Sequence, residues 1–157
     1  MTAVGISGHQ DLPVEASTFM RASLAELVPE GDALVGYSSL AEGADQIFAE
    51  FVLAQGGQLH VVLPCADYES TFKAGFSLAK YQVLLARAVE VQSVGFPHPS
   101  EEAFFAAGRA IVDACDLLIA VWDGQPARGL GGTADVVAYA ERRGRRVEVV
   151  WPPGVAR

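Results

Sequence analysis

The chain has 157 residues, 51% of them hydrophobic, and a formal net charge of −8. That length and apolar content build one domain around a single substantial core and exclude a disordered chain, and no apolar stretch approaches the roughly 20 residues of a bilayer span. The acidic balance repels a phosphate backbone, so a nucleic-acid partner is not expected, whereas one small anionic ligand held by local donors remains compatible.

In chain order, residues 3–7 read as a first strand, without the basic flank of a secretory signal, so a cytoplasmic location is expected. Residues 14–28 follow with helical spacing, with Asp11 near the helix start as its expected cap. A second strand spans 33–37, and a second helix over 44–55 is ended by Gly56-Gly57. The third strand, 59–63, is expected to stop at Pro64. A helical stretch over 72–87 breaks near Gly75, with Phe72 and Phe76 as core positions. A short strand over 89–94 precedes the rigid Pro97-His98-Pro99. Ser100 then caps a helix reaching Ala114, with Glu101 and Glu102 suiting its dipole. Residues 116–122 form the fifth strand, 132–143 the last helix and 146–151 the sixth strand. Arg142, Arg143, Arg145 and Arg146 are a solvated, dipole-matched helix end. Cys65 and Cys115 make neither a disulfide framework nor metal-ligand spacing, and no metal or cofactor is expected. Nearly all-apolar strands separated by helices predict an α/β fold. It is three-layer, Rossmann-like and doubly wound, with a mainly parallel sheet of about six strands. It fills residues 1–151, and 152–157 form a frayed tail.

Such sheets bind ligands beyond the carboxyl ends of their strands, and the polar and glycine residues concentrate there. After the first strand stand Ser7, Gly8, His9, Gln10 and Asp11. After the second come Ser38, Ser39, Glu42, Gly43 and Asp45. After the fifth, a glycine-rich loop carries Asp123, Gly124, Gln125, Arg128, Gly131, Gly132 and Thr133 into a helix that contains Asp135. Glycines let a backbone approach a ligand, and the first N–H groups of a helix point at an anion. Gly5-Ile6-Ser7-Gly8 is not a dinucleotide fingerprint, and no acid ends the second strand, so an NAD site is not expected. His9 serves as a donor or acid–base group, or else as a loop histidine bonded to Asp11 or to backbone. Glu42 and Asp45 suit either a helix start or the hydroxyls of a sugar, and the sequence favours neither. His60 and His98 have no partner by spacing.

At these loops the chain resembles the SLOG superfamily, the Rossmann-like group that includes DprA and the LOG phosphoribohydrolases. The resemblance rests on Gly5-Ile6-Ser7-Gly8-His9 with Asp11-Leu12, on Ser39-Leu40-Ala41-Glu42-Gly43-Ala44-Asp45, and on residues 116–124 with Gly131-Gly132-Thr133-Ala134-Asp135. It spans nearly the whole chain and implies a stand-alone domain that binds a nucleotide or nucleotide-derived small molecule, as a sensor in some members. The LOG enzymes carry P-G-G-x-G-T-x-x-E, whose glutamate works in catalysis. Here Gly132-Thr133 match G-T, but Leu130 replaces the second glycine and Val136 stands at the glutamate. Asp135 lies one residue early, about 100° around a helix. Close relatives imply a basic residue where Gln10 stands.

Three functions follow as alternatives. The first is nucleotide binding through the amides of Gly8, Gly132 and Thr133, with Asp123, Glu42 or Asp45 on ribose or base. The second is cleavage of the N-glycosidic bond of a nucleoside monophosphate, with His9, Glu42 and Asp135 as candidate catalytic groups. The third is an oligomeric scaffold with a vestigial pocket, a homo-oligomer built on Phe96, Phe104 and Phe105. A DprA-like groove for single-stranded DNA is opposed by the net charge.

Overall fold

In a computed structural model describing residues 2–31, 33–126 and 129–157, the chain forms one sheet flanked by helices on both faces. The strands are β1 (Thr2–Gly8), β2 (Leu34–Ser38), β3 (Gln58–Cys65), β4 (Glu90–Phe96), β5 (Leu117–Val121) and β6 (Arg146–Val149). All pair in parallel, in the order β4-β3-β2-β1-β5-β6. The helices are α1 (Val14–Leu27), α2 (Ala44–Ala54), α3 (Phe76–Ala86), α4 (Glu101–Ala114) and α5 (Thr133–Arg142), with a 3-10 turn over Tyr68–Thr71. The expected three-layer, doubly wound architecture is the one found, and the sheet is parallel throughout.

Successive side chains of a strand alternate between faces. Val4 and Ile6 of β1, with Leu117, Ile119 and Val121 of β5, therefore bury against Met20 and Leu24 of α1 and Phe48 and Val52 of α2. Leu118 faces the other way, into a core with Ile111 and Val112 of α4 and Val136 and Ala140 of α5. Each large side chain buried this way contributes about 2 kcal/mol. Glycines set how closely helices approach the sheet: a Cβ on Gly5 would meet Ile111 Cγ2 at 2.6 Å, and one on Gly36 would meet Val52 Cγ2 at 2.5 Å.

Several boundaries differ from the sequence reading. β3 continues past Pro64 to Cys65, because the pairing with β4 shifts register between Leu63 and Cys65 and absorbs the missing donor. Helix α3 begins at Phe76, after Gly75 at φ 132°, and Phe76 is 78% exposed. Phe72 behaves as expected, stacked on Tyr81 at 4.7 Å. Asp11 makes no cap, since Pro13 starts α1 without a side-chain bond. Ser100 does cap α4, its Oγ accepting the Ala103 N–H at 3.0 Å. Both histidines expected to lack partners have them, His60 with Glu90 (3.5 Å) and His98 with Asp67 (3.1 Å). Arg145 donates to the carbonyls of Val112 and Asp113 at the end of α4, and Arg143 pairs with Asp113.

The chain winds outward from β1 to β4, then returns through α4 to lay β5 on the other side of β1. Strand order therefore reverses between β1 and β5, which opens a crevice at their carboxyl ends.

Candidate functional site

Gly8 ends β1 opposite Val121, and a Cβ there would run into Ala44 and stand 2.9 Å from Val121 Cβ. The next residue is clamped from two sides: His9 N–H donates to the Val121 carbonyl (3.1 Å), and its carbonyl accepts from Ala44 N–H (3.3 Å). The first and second loops are thereby locked together at the start of α2. Gly43, at φ 88°, has no room for a Cβ because the Gln10 carbonyl oxygen occupies that space.

Within the second loop, Ser38 turns inward. Its hydroxyl accepts from Leu40 N–H (3.0 Å) and donates to the Asp45 carbonyl (3.1 Å), and the residue is fully buried. Leu40 holds φ 59° with its side chain buried, and its carbonyl accepts from Gln46 Nε2 (3.2 Å). This left-handed residue aims the amide of Ala41 at Asp45 Oδ2 (3.3 Å). Burial pushes the Asp45 carboxyl up to about 7, against the amides of Ala41 and Ser39, which pull it down. Burial, and then the charge of Asp45, hold the neighbouring Tyr68 phenol well above its ordinary value, so it remains a donor.

The loop after β5 is held by its own side chains. Asp123 Oδ1 accepts from Gln125 N–H (3.0 Å), Trp122 Nε1 donates to the Gln125 carbonyl (2.8 Å), and Asp135 Oδ2 accepts from Gly131 N–H (3.1 Å). Glu101, on the first turn of α4, accepts from Leu130 N–H (3.3 Å). By helix geometry the amides of Thr133 and Ala134 have no intrahelical acceptor, and both residues line the cleft.

His9 links these parts. Arg157 Nη1 stands 2.8 Å from His9 Nδ1, and a guanidinium only donates, so Nδ1 is the acceptor. Nε2 lies 3.3 Å from Asp123 Oδ1 and accepts from the Asp123 backbone N–H at 3.2 Å. The ring also meets Trp151 edge-on, with centroids 5.5 Å apart. Burial raises Asp123, but the amide of Gln125, His9 and Arg157 outweigh it, and the carboxyl titrates below its ordinary value.

The result is a cleft of about 410 Å³ at the β1–β5 reversal, within the roughly 300–1,000 Å³ of small-molecule sites. Of the residues expected from the sequence, Ser7, Gly8, His9, Ser39, Asp45, Gln125, Gly131, Gly132 and Thr133 line it. Asp123 stands behind His9, Gly43 supports the loop junction, and Gly124 makes a turn at φ 84°. Glu42 is exposed and lines a small side recess shared with Gln10 and Phe104. Asp135 is spent on the Gly131 amide, while Val136, at the position of the hydrolase glutamate, is buried and lines the cleft. Arg128 lies outside the described residues.

Glu101, Phe104 and Arg157 were not anticipated at the cleft. Glu101 read only as a dipole-matched acid, and no local pattern separates that role from a lining one. Arg157 was expected to fray. Instead, Trp151 Nε1 donates to the Val155 carbonyl (2.7 Å) and Pro152 is buried, which folds residues 152–157 back over the strand ends.

The expected parallel Rossmann-like sheet, with a cleft at its order reversal, is a fold the chain shares with solved structures. Solved structures that share it include DNA processing protein A from Streptococcus pneumoniae, at TM-score 0.70 and 20% identity over 94% of this chain and 50% of that one. Helicobacter pylori DNA processing protein A, which binds single-stranded DNA, matches at TM-score 0.67 and 20% identity, over 94% of this chain and 64% of that one. The structure of TM1055 matches at TM-score 0.55 and 16% identity, over 94% and 72%. The chain thus spans about half to two thirds of the DNA processing proteins, and at these identities the likeness is one of fold. No protein-family model matches the sequence, and no curated protein is significantly similar to it. No described helix is long and apolar enough to cross a membrane.

Proposed function

We propose that this chain binds a nucleotide or nucleotide-derived small molecule in the β1–β5 cleft, as a sensor module of the cytoplasm. The observation that carries this reading is the convergence of two opposite chemistries on one cleft. The amides of Thr133 and Ala134 at the start of α5 suit a phosphate. The carboxyls of Asp45 and Glu101 suit the hydroxyls of a ribose or the amino group of a base. Phe104, 37% exposed in the same wall, offers a face for a base. Glycosidic hydrolysis is less well served: Val136 stands where the LOG signature has its catalytic glutamate, and Glu101 already accepts from a loop amide.

Mass spectrometry of small molecules released from freshly purified protein, followed by calorimetry with the species found, tests the reading. Gly132→Asp places a carboxylate beside the phosphate-facing amides and should weaken binding at least tenfold, about 1.4 kcal/mol, at unchanged melting temperature. Thr133→Ala should weaken it less. Unchanged affinity in both variants sinks the assignment.

A further inference from the structure

The described lining of the cleft is short of positive charge. Asp45 and Glu101 face it, and Arg157 is its one formal cation among the described residues. That cation comes from none of the strand-end loops but from the segment beyond β6, and its approach is built. Trp151 bonds the Val155 carbonyl and packs on the His9 ring, so the turn and the imidazole are held by one indole. Arg157 Nη1 lies 2.8 Å from His9 Nδ1, Nε lies 4.0 Å from Asp123 Oδ2, and the side chain is 22% exposed.

We propose that Arg157 is the phosphate-binding and specificity-determining residue of the cleft, selecting a phosphomonoester over the same ligand without its phosphate. This rests on the nucleotide reading above. A single imidazole nitrogen takes one bond from a guanidinium, whereas a phosphate accepts two parallel charge-assisted bonds from its fork. Asp123 keeps the arginine at the cleft in either case.

Calorimetry with the four nucleoside monophosphates and the four corresponding nucleosides, on wild type, Arg157→Gln and Arg157→Lys, tests the proposal. Wild type should bind at least one monophosphate tenfold or more tighter than its nucleoside. Arg157→Gln should lose that preference while keeping its affinity for the nucleoside, which also reports that the cleft is folded. Arg157→Lys should recover part of it, because a point charge lacks the fork. Equal preference in wild type and Arg157→Gln overturns this assignment and leaves the nucleotide reading standing. No affinity of wild type for any of the eight compounds overturns both.

Discussion

Asp45 carries the chemistry most sensitive to its surroundings. In the unfolded chain an aspartate titrates near ~3.9, whereas burial raises Asp45 to about 7 in the folded protein. Between those values the native state holds a proton that the unfolded state lacks. The associated stability is fully present below about pH 4 and is lost as pH rises through about 7. Asp45→Asn, which stays neutral, should match wild type near pH 4 and exceed it by about 4 kcal/mol at pH 8. Urea denaturation across that range checks it, and a gap that does not grow with pH contradicts it. His9 shows the same dependence on distant partners. Its loop position was legible, but its carboxylate is 114 positions away and not the neighbouring Asp11.

Among the elements, α2 shows how a loop and a helix start are built as one unit. Its N-cap, Gly43, combines φ 88° with a Cβ position filled by the Gln10 carbonyl. Gly56, which follows the helix at φ 79°, has nothing within 4 Å of its Cβ position. Gly56→Ala should therefore cost about 1 kcal/mol for the left-handed backbone alone, and Gly43→Ala at least about 2 kcal/mol more. Equal losses in chemical denaturation would contradict the packing argument. Helix periodicity placed α1, α2, α4 and α5 to within a few residues because apolar spacing and caps such as Ser100 are local. It placed α3 less well: Phe72 and Phe76 share a helical spacing, yet Gly75 divides them and only Phe72 joins the aromatic cluster.

At the scale of the whole molecule, net charge bears on whether this chain binds nucleic acid. The Helicobacter pylori protein binds single-stranded DNA, and such binding needs a positive groove along the backbone. This chain carries a net charge of −8, and its cleft presents Asp45 and Glu101. Fluorescence anisotropy with a labelled 20-nucleotide single strand should show no saturable binding below about 100 μM, in contrast to the roughly 1–100 μM non-specific binding of nucleic-acid-binding proteins. Tight binding with a steep salt dependence overturns the expectation.

The sequence alone determined the alternation of strands and helices, the parallel doubly wound sheet and the three polar strand-end loops. These follow from apolar periodicity and from glycine and proline placement, which act within a few residues. The tertiary structure decided which side chains face the cleft, because that depends on where the chain reverses its strand order. It turned Ser38 and Asp135 inward to hold their own loops, brought Glu101 from the start of α4 to the loop after β5, and carried Arg157 back to His9. It also raised Asp45 toward neutrality, since desolvation is a property of the packed surroundings and not of the residue type.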